Sequence, residues 1–290
     1  MRTARLLLGL SVAALLVTGF AGDALAKGKK NKKKKPTPAD TATYFMASDP
    51  HVPLAIVDKA AFVAIETPGN RCGDPKKWAT IGSTWRALDE WGQMGGEFSI
   101  ASVEPYDVTG CSEATMKEKG ATTPGATTGP LFVSSASWKS PKSAAFAATD
   151  EQKAAFGAVL EGALKLYATD PKELAKGKEG FQIAYFTAPK RADDGTHPTD
   201  TWAVAAGPML VFARLVGAEW KLSSVEPPRD ANMDGAPAHF KLVSIFDMDG
   251  DGVTDVIVNE NNLDGWNDEV FSRDDSGWSR VVVSPGGSTA

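Results

Sequence analysis

Phe246-Asp247-Met248-Asp249-Gly250-Asp251-Gly252-Val253-Thr254-Asp255-Val256-Ile257-Val258 is the stretch on which the reading of this chain turns. Aspartates stand at loop positions 1, 3, 5 and 9 and glycines at 4 and 6. The β-branched run 256–258 predicts a strand, and the apolar residues before Asp247 predict another, so the stretch reads as strand, tight loop, strand. Four carboxylates this close repel one another unless a cation lies among them. Calcium takes six to eight hard oxygens at about 2.3–2.6 Å, and alternate aspartates on a tight bend bring carboxylates to one centre. The expected ligands are Asp247, Asp249, Asp251 and Asp255, with the backbone carbonyl of Val253 at position 7 and water completing the sphere. Oxygen-only donors favour calcium over zinc, and a flexible loop disfavours the stricter octahedron of magnesium.

An EF-hand would carry a bidentate glutamate at position 12, where this chain has Val258, and would continue into a helix rather than a strand. The pattern of apolar strand, Asp-x-Asp-Gly-Asp-Gly-x-x-Asp and second apolar strand instead resembles the calcium loop of FG-GAP and VCBS-type repeats. The resemblance covers about residues 239–283, in one copy. It implies a β-meander of the kind that builds propeller blades, with a structural and non-catalytic calcium ion on the loop between two strands.

Working outward, residues 259–268 read as a polar connection, 269–273 as a short strand, 274–277 as a turn and 278–283 as a closing strand. Residues 229–290 carry twelve carboxylates against Arg229, Lys241, Arg273 and Arg280. This acidity fits a cation-binding C-terminal β module, set off from a body at 41–228 by the polar, proline-containing stretch around 227–235.

In that body, Thr149-Asp150-Glu151-Gln152 matches a capping box, and Phe156, Val159, Leu160, Ala163, Leu164 and Tyr167 recur at helical spacing. A second helix is expected over 78–91, where Trp78, Ile81, Trp85, Leu88 and Trp91 fall three or four apart. Strands are expected at 62–66, 98–103, 131–138, 181–187, 221–225 and at 202–215, the last interrupted by Gly207-Pro208. Without βαβ alternation the fold class is α+β: a largely antiparallel sheet with one or two helices, plus the C-terminal β-meander with its calcium loop.

The N-terminal segment stands apart from the fold. Arg2 and Arg5 precede fifteen mostly apolar residues (6–20), and Ala24-Leu25-Ala26 offers a small-x-small cleavage site. Residues 1–26 read as a signal peptide, since the apolar run falls short of the roughly 20 residues a membrane-spanning helix needs. No cysteine near the site could take a lipid, and no transmembrane segment is expected after cleavage. Seven lysines lie between Lys27 and Lys35, then Pro36-Thr37-Pro38, so 27–40 is expected to be a disordered tether able to meet an anionic envelope polymer. In an oxidising compartment the two cysteines, Cys72 and Cys111, are expected to pair.

The 290-residue chain has 31 basic and 36 acidic side chains, but nine of the former and two of the latter fall in residues 1–40. The remainder keeps 22 against 34, a net charge of −12 that makes nucleic-acid binding by the folded part unfavourable. No Gly-x-Ser-x-Gly elbow, Ser-x-x-Lys, His-Glu-x-x-His or phosphate loop is present. The sequence thus reads as an exported, periplasmic or extracellular, non-catalytic protein with a structural Ca2+ site. The alternative is a secreted hydrolase with its active site in 41–228 and calcium purely structural.

Overall fold

A computed structural model describes residues 42–47, 51–65, 72–106, 111–119, 130–134, 138, 143–167, 172, 180–189, 199–228, 239–262, 265–274, 277–284 and 287–288. The expected signal peptide and lysine tether lie outside these residues. The fold is α+β, with antiparallel strands dominating and two helices among the described residues.

Three sheets carry the architecture. The first is built from β1 (Thr43–Ala47), β2 (Pro53–Val57), β3 (Phe62–Val63), β4 (Thr84–Leu88), β5 (Met94–Tyr106), β6 (Cys111–Glu118) and β7 (Leu131–Val133), in the order β3-β2-β1-β7-β4-β5-β6. The second contains β8 (Ala144–Ala145), β9 (Gln182–Pro189), β10 (Thr199–Ala206), β11 (Leu210–Val216) and β12 (Glu219–Glu226), running as consecutive antiparallel neighbours. The third is the expected meander: β13 (His239–Phe246), β14 (Asp255–Asn262), β15 (Gly265–Asp274) and β16 (Gly277–Val283), with β17 (Gly287–Ser288) paired to β15.

The pleat sends successive side chains to opposite faces, and this sorts the core into layers. On β10, Trp202, Val204 and Ala206 pack with Val256, Val258, Phe271 and Trp278 of the third sheet. Their neighbours Ala203 and Ala205 turn the other way, against Phe156, Leu160, Ala163 and Leu164 of a helix, α2 (Asp150–Leu164). The opposite face of the third sheet, with Phe246, Ile257 and Val270, packs on Phe45, Leu54, Leu131 and Val133 of the first sheet. Tyr44, Met46, Trp85, Ala87 and Phe132 line the far side of the first sheet around Trp78. The order is therefore helix, second sheet, third sheet, first sheet. The meander is the middle layer, and its core is shared with strands from both sides, within one unit spanning Asp40–Ala290.

The expected helix over 78–91 is not formed. A short helix, α1 (Pro75–Trp78), ends at Trp78, and residues 84–88 are strand β4. Gly82 has φ +82°, which breaks any helix, and Ile81 is 66% exposed instead of sharing a buried stripe. In β4, Trp85 and Ala87 face one cluster and Leu88 the other, a period of two. The helical spacing of the tryptophans was a coincidence of one short helix followed by one strand. Within 259–268, expected as a connection, the described residues are strand: β14 runs to Asn262 and β15 begins at Gly265. Of the expected strand 131–138, the described strand is Leu131–Val133; Trp138 lies outside it, and residues 135–137 are outside the described residues.

Cys72 and Cys111 form a disulfide with Cα atoms 5.2 Å apart, and both are buried. It ties the segment before α1 to the start of β6, an edge strand of the first sheet. Among the described residues no helix is long and apolar enough to cross a membrane.

Candidate metal centre

The loop at 247–254 joins β13 to β14 where Phe246 pairs with Asp255. Its anchors are apolar as much as polar. Met248, between the first two aspartates, is fully buried and packs into the cluster between the first and third sheets. Trp138 Nε1 donates to the Met248 carbonyl at 3.2 Å. At the far end of the loop, Thr254 is fully buried and its Oγ1 is 2.8 Å from Ser143 Oγ. The loop is thus fastened at both ends to other parts of the chain, which limits how far its carboxylates can move apart.

Within this frame the backbone folds around the carboxylates. Asp247 accepts from Gly250 N at 2.6 Å through Oδ1 and from Gly252 N at 2.9 Å through Oδ2. Asp249 Oδ1 accepts from Asp251 N at 3.1 Å, and Asp251 Oδ1 from Val253 N at 2.7 Å. Asp255 Oδ2 reaches back to Met248 N at 2.7 Å. Gly250 and Gly252 adopt φ +82° and +90°, the left-handed region in which a side chain would be strained.

One carboxylate oxygen from each of Asp247, Asp249 and Asp255 lies within 4.8 Å of the other two. Asp251 stands outside this trio but close enough that its charge raises the pKa of Asp249. Val253 is buried, with its N–H turned to Asp251. Burial is the first cause of every shift here. It pushes the Asp247 carboxyl up to about 6, against the N–H groups of Gly252 and Gly250. It pushes Asp249 up to about 7, with the Asp251 charge adding to it, and raises Asp255 well above the ordinary carboxylate range.

Asp255 Oδ1 is buried and has no hydrogen-bond partner. A buried acceptor without a donor costs roughly 1–3 kcal/mol, and here it stands beside two further carboxylates. A hard divalent cation relieves that deficit and the mutual repulsion together. The spacing of the aspartates made the trio legible in the sequence, whereas Met248, Trp138 and the Ser143–Thr254 contact were not. Trp138 meets Met248 across 110 residues and Ser143 meets Thr254 across 111, and no local pattern announces either contact.

Comparison with protein-family models, curated proteins and solved structures finds no match for this chain.

Proposed function

We propose that this is an exported, non-catalytic protein whose C-terminal meander is braced by a structural calcium ion, held by Asp247, Asp249 and Asp255 with Asp251 and the Val253 carbonyl nearby. The observation that carries the reading is the unpartnered buried Oδ1 of Asp255 within a trio of converging carboxylates. The all-oxygen donor set supports calcium, and the resemblance of residues 239–283 to FG-GAP and VCBS-type repeats supports a non-catalytic ion. The disulfide and the signal-like residues 1–26 support export, and the lysines of 27–35 suit contact with an anionic envelope polymer.

An ion that binds only the folded chain adds about 2.7 kcal/mol of stability when free metal is a hundredfold above its dissociation constant. Thermal melts of the full chain in excess calcium and in chelator test the idea. Calcium is expected to raise Tm in the wild type and to leave Asp249→Ala unmoved. Identical melts of the wild type with and without calcium would sink the reading.

A further inference from the structure

The far end of the third sheet holds a second polar site, which shares no residue with the acidic loop. Strand pairing aligns Lys241 on β13 with Asn259 on β14, and Asn259 with Asp268 on β15. One row further, Asn261 pairs with Trp266. By the alternation of the strands these residues occupy the face that carries Ile257 and Val270, the face packed on the first sheet. The third sheet continues past the last apolar contacts, and between it and the ends of β1 and β7 is a cavity of about 350 Å³ lined by these five side chains beside Leu242 and Val243, with Ala47 and Pro130 on the opposite wall. Its size falls at the low end of the roughly 300–1,000 Å³ typical of small-ligand sites. Lys241 lies five residues before Phe246, so the cavity and the acidic loop are separated by roughly 15 Å of strand.

At the base is Asp268, only 5% exposed. Its Oδ1 accepts from Asn259 Nδ2 at 2.9 Å and its backbone N–H is taken by Ser284 Oγ at 2.9 Å. Its Oδ2 is buried without a partner. Asp268 lines the cavity and this buried oxygen lacks a partner, so the residue keeps a vacant acceptor that calls for a donor.

The rest of the lining narrows what that donor belongs to. Lys241 and Asp268 cancel in charge, so a cation meets the ammonium and an anion meets the carboxylate. The Asn261 amide carries two N–H donors and an acceptor, and Asn259, with one N–H given to Asp268, keeps its second N–H and its carbonyl. Half-buried Trp266 adds an aromatic ring. Donors and acceptors interspersed beside an aromatic surface match vicinal hydroxyl groups, each of which donates and accepts.

We infer that this cavity binds a neutral, hydroxyl-rich ligand, a sugar residue of a saccharide, with Asp268 Oδ2 accepting from a hydroxyl, Asn259 and Asn261 bridging neighbouring hydroxyls and Trp266 contacting the ring. The inference stands apart from the calcium reading, because the two sites use different residues and different measurements.

The test is a broad array of neutral glycans probed with the full chain in excess calcium, followed by calorimetry with the best-retained oligosaccharide. Asn261→Ala, at an exposed position that leaves the core alone, and Trp266→Ala are each expected to weaken binding by about tenfold or more. Asp268→Asn, which keeps shape but replaces an acceptor by a donor at one oxygen, is expected to abolish it. Retention of no neutral glycan overturns the inference, as does equal affinity in Asn261→Ala and Trp266→Ala. Preferential binding of spermidine or citrate, lost in the same variants, overturns it in favour of a charged ligand. None of these outcomes alters the calcium-dependent melt, so the two ideas fail separately.

Discussion

Asp200 holds two guanidinium groups at once. Arg214 Nη2 lies 2.9 Å from its Oδ1 and Arg273 Nη1 3.4 Å from its Oδ2, while Arg273 also donates to the Pro189 carbonyl and lies 4.9 Å over the Trp202 ring. Burial lowers the Arg273 pKa from its ordinary value, and the Asp200 charge pushes it back up. Removing that charge leaves two cations facing each other at the join of the second and third sheets. Asp200→Ala is expected to cost about 2 kcal/mol by urea unfolding, below the range for a fully buried pair because Arg214 keeps contact with solvent.

The loop aspartates have the opposite sign. Their folded-state pKa values lie above the ordinary 3.8, at about 6 for Asp247 and about 7 for Asp249, so the metal-free fold binds protons more tightly than the unfolded chain does. Their favourable contribution is complete below about 4 and is lost as pH rises through 6 to 7. In chelator, Asp249→Asn is therefore expected to gain stability relative to the wild type as pH is raised from 5 to 7.5. In excess calcium, the calcium-induced rise in wild-type Tm should grow over the same range, because protons compete for the same oxygens. Melts of both proteins across that range check each half of the expectation.

Among the elements, α2 was the easiest to read because its signals are local. Thr149 Oγ1 accepts from Gln152 N at 3.3 Å and Gln152 Oε1 from Thr149 N at 2.9 Å, the reciprocal cap that the four-residue motif implies. Thr149→Ala is expected to lower stability by about 1 kcal/mol in denaturant titration, with the helix still docked through Phe156 and Leu160. Strands were legible where one face met a core and the other did not. The hairpin of β10 and β11 was legible differently: both of its faces are buried, so it shows as a nearly continuous apolar run broken at Gly207-Pro208. Strand β1 was not legible: four of its five residues are buried, so Tyr44-Phe45-Met46 offers no alternation to detect. Strand β6 is defined by its partner β5, since Ser112, Glu113, Lys117 and Glu118 hide the contribution of Ala114 and Met116 to the core. For the same reason the acidic loop could be found by spacing alone, while the row Lys241–Asn259–Asp268 emerges only once three strands are in register.

For the whole molecule, the disulfide closes a loop across a sequence separation of 39 and fastens an edge strand that has a neighbour on one side. Restricting the unfolded chain by that much is worth roughly 4 kcal/mol in the chain-entropy view. The Cys72→Ser, Cys111→Ser double variant is expected to lose stability of that order in denaturant titration and to be indifferent to reductant, which should lower the wild-type Tm.

The middle position of the third sheet has a consequence for how the polypeptide is born. Its strands are synthesised after those of the other two sheets, yet both of their faces are needed to cover what was made earlier. Until residue 239 and beyond have emerged, the first and second sheets each have an oily side and nothing to lay against it. A nascent chain that cannot close on itself stays pliable, and its consolidation waits for the third sheet to arrive.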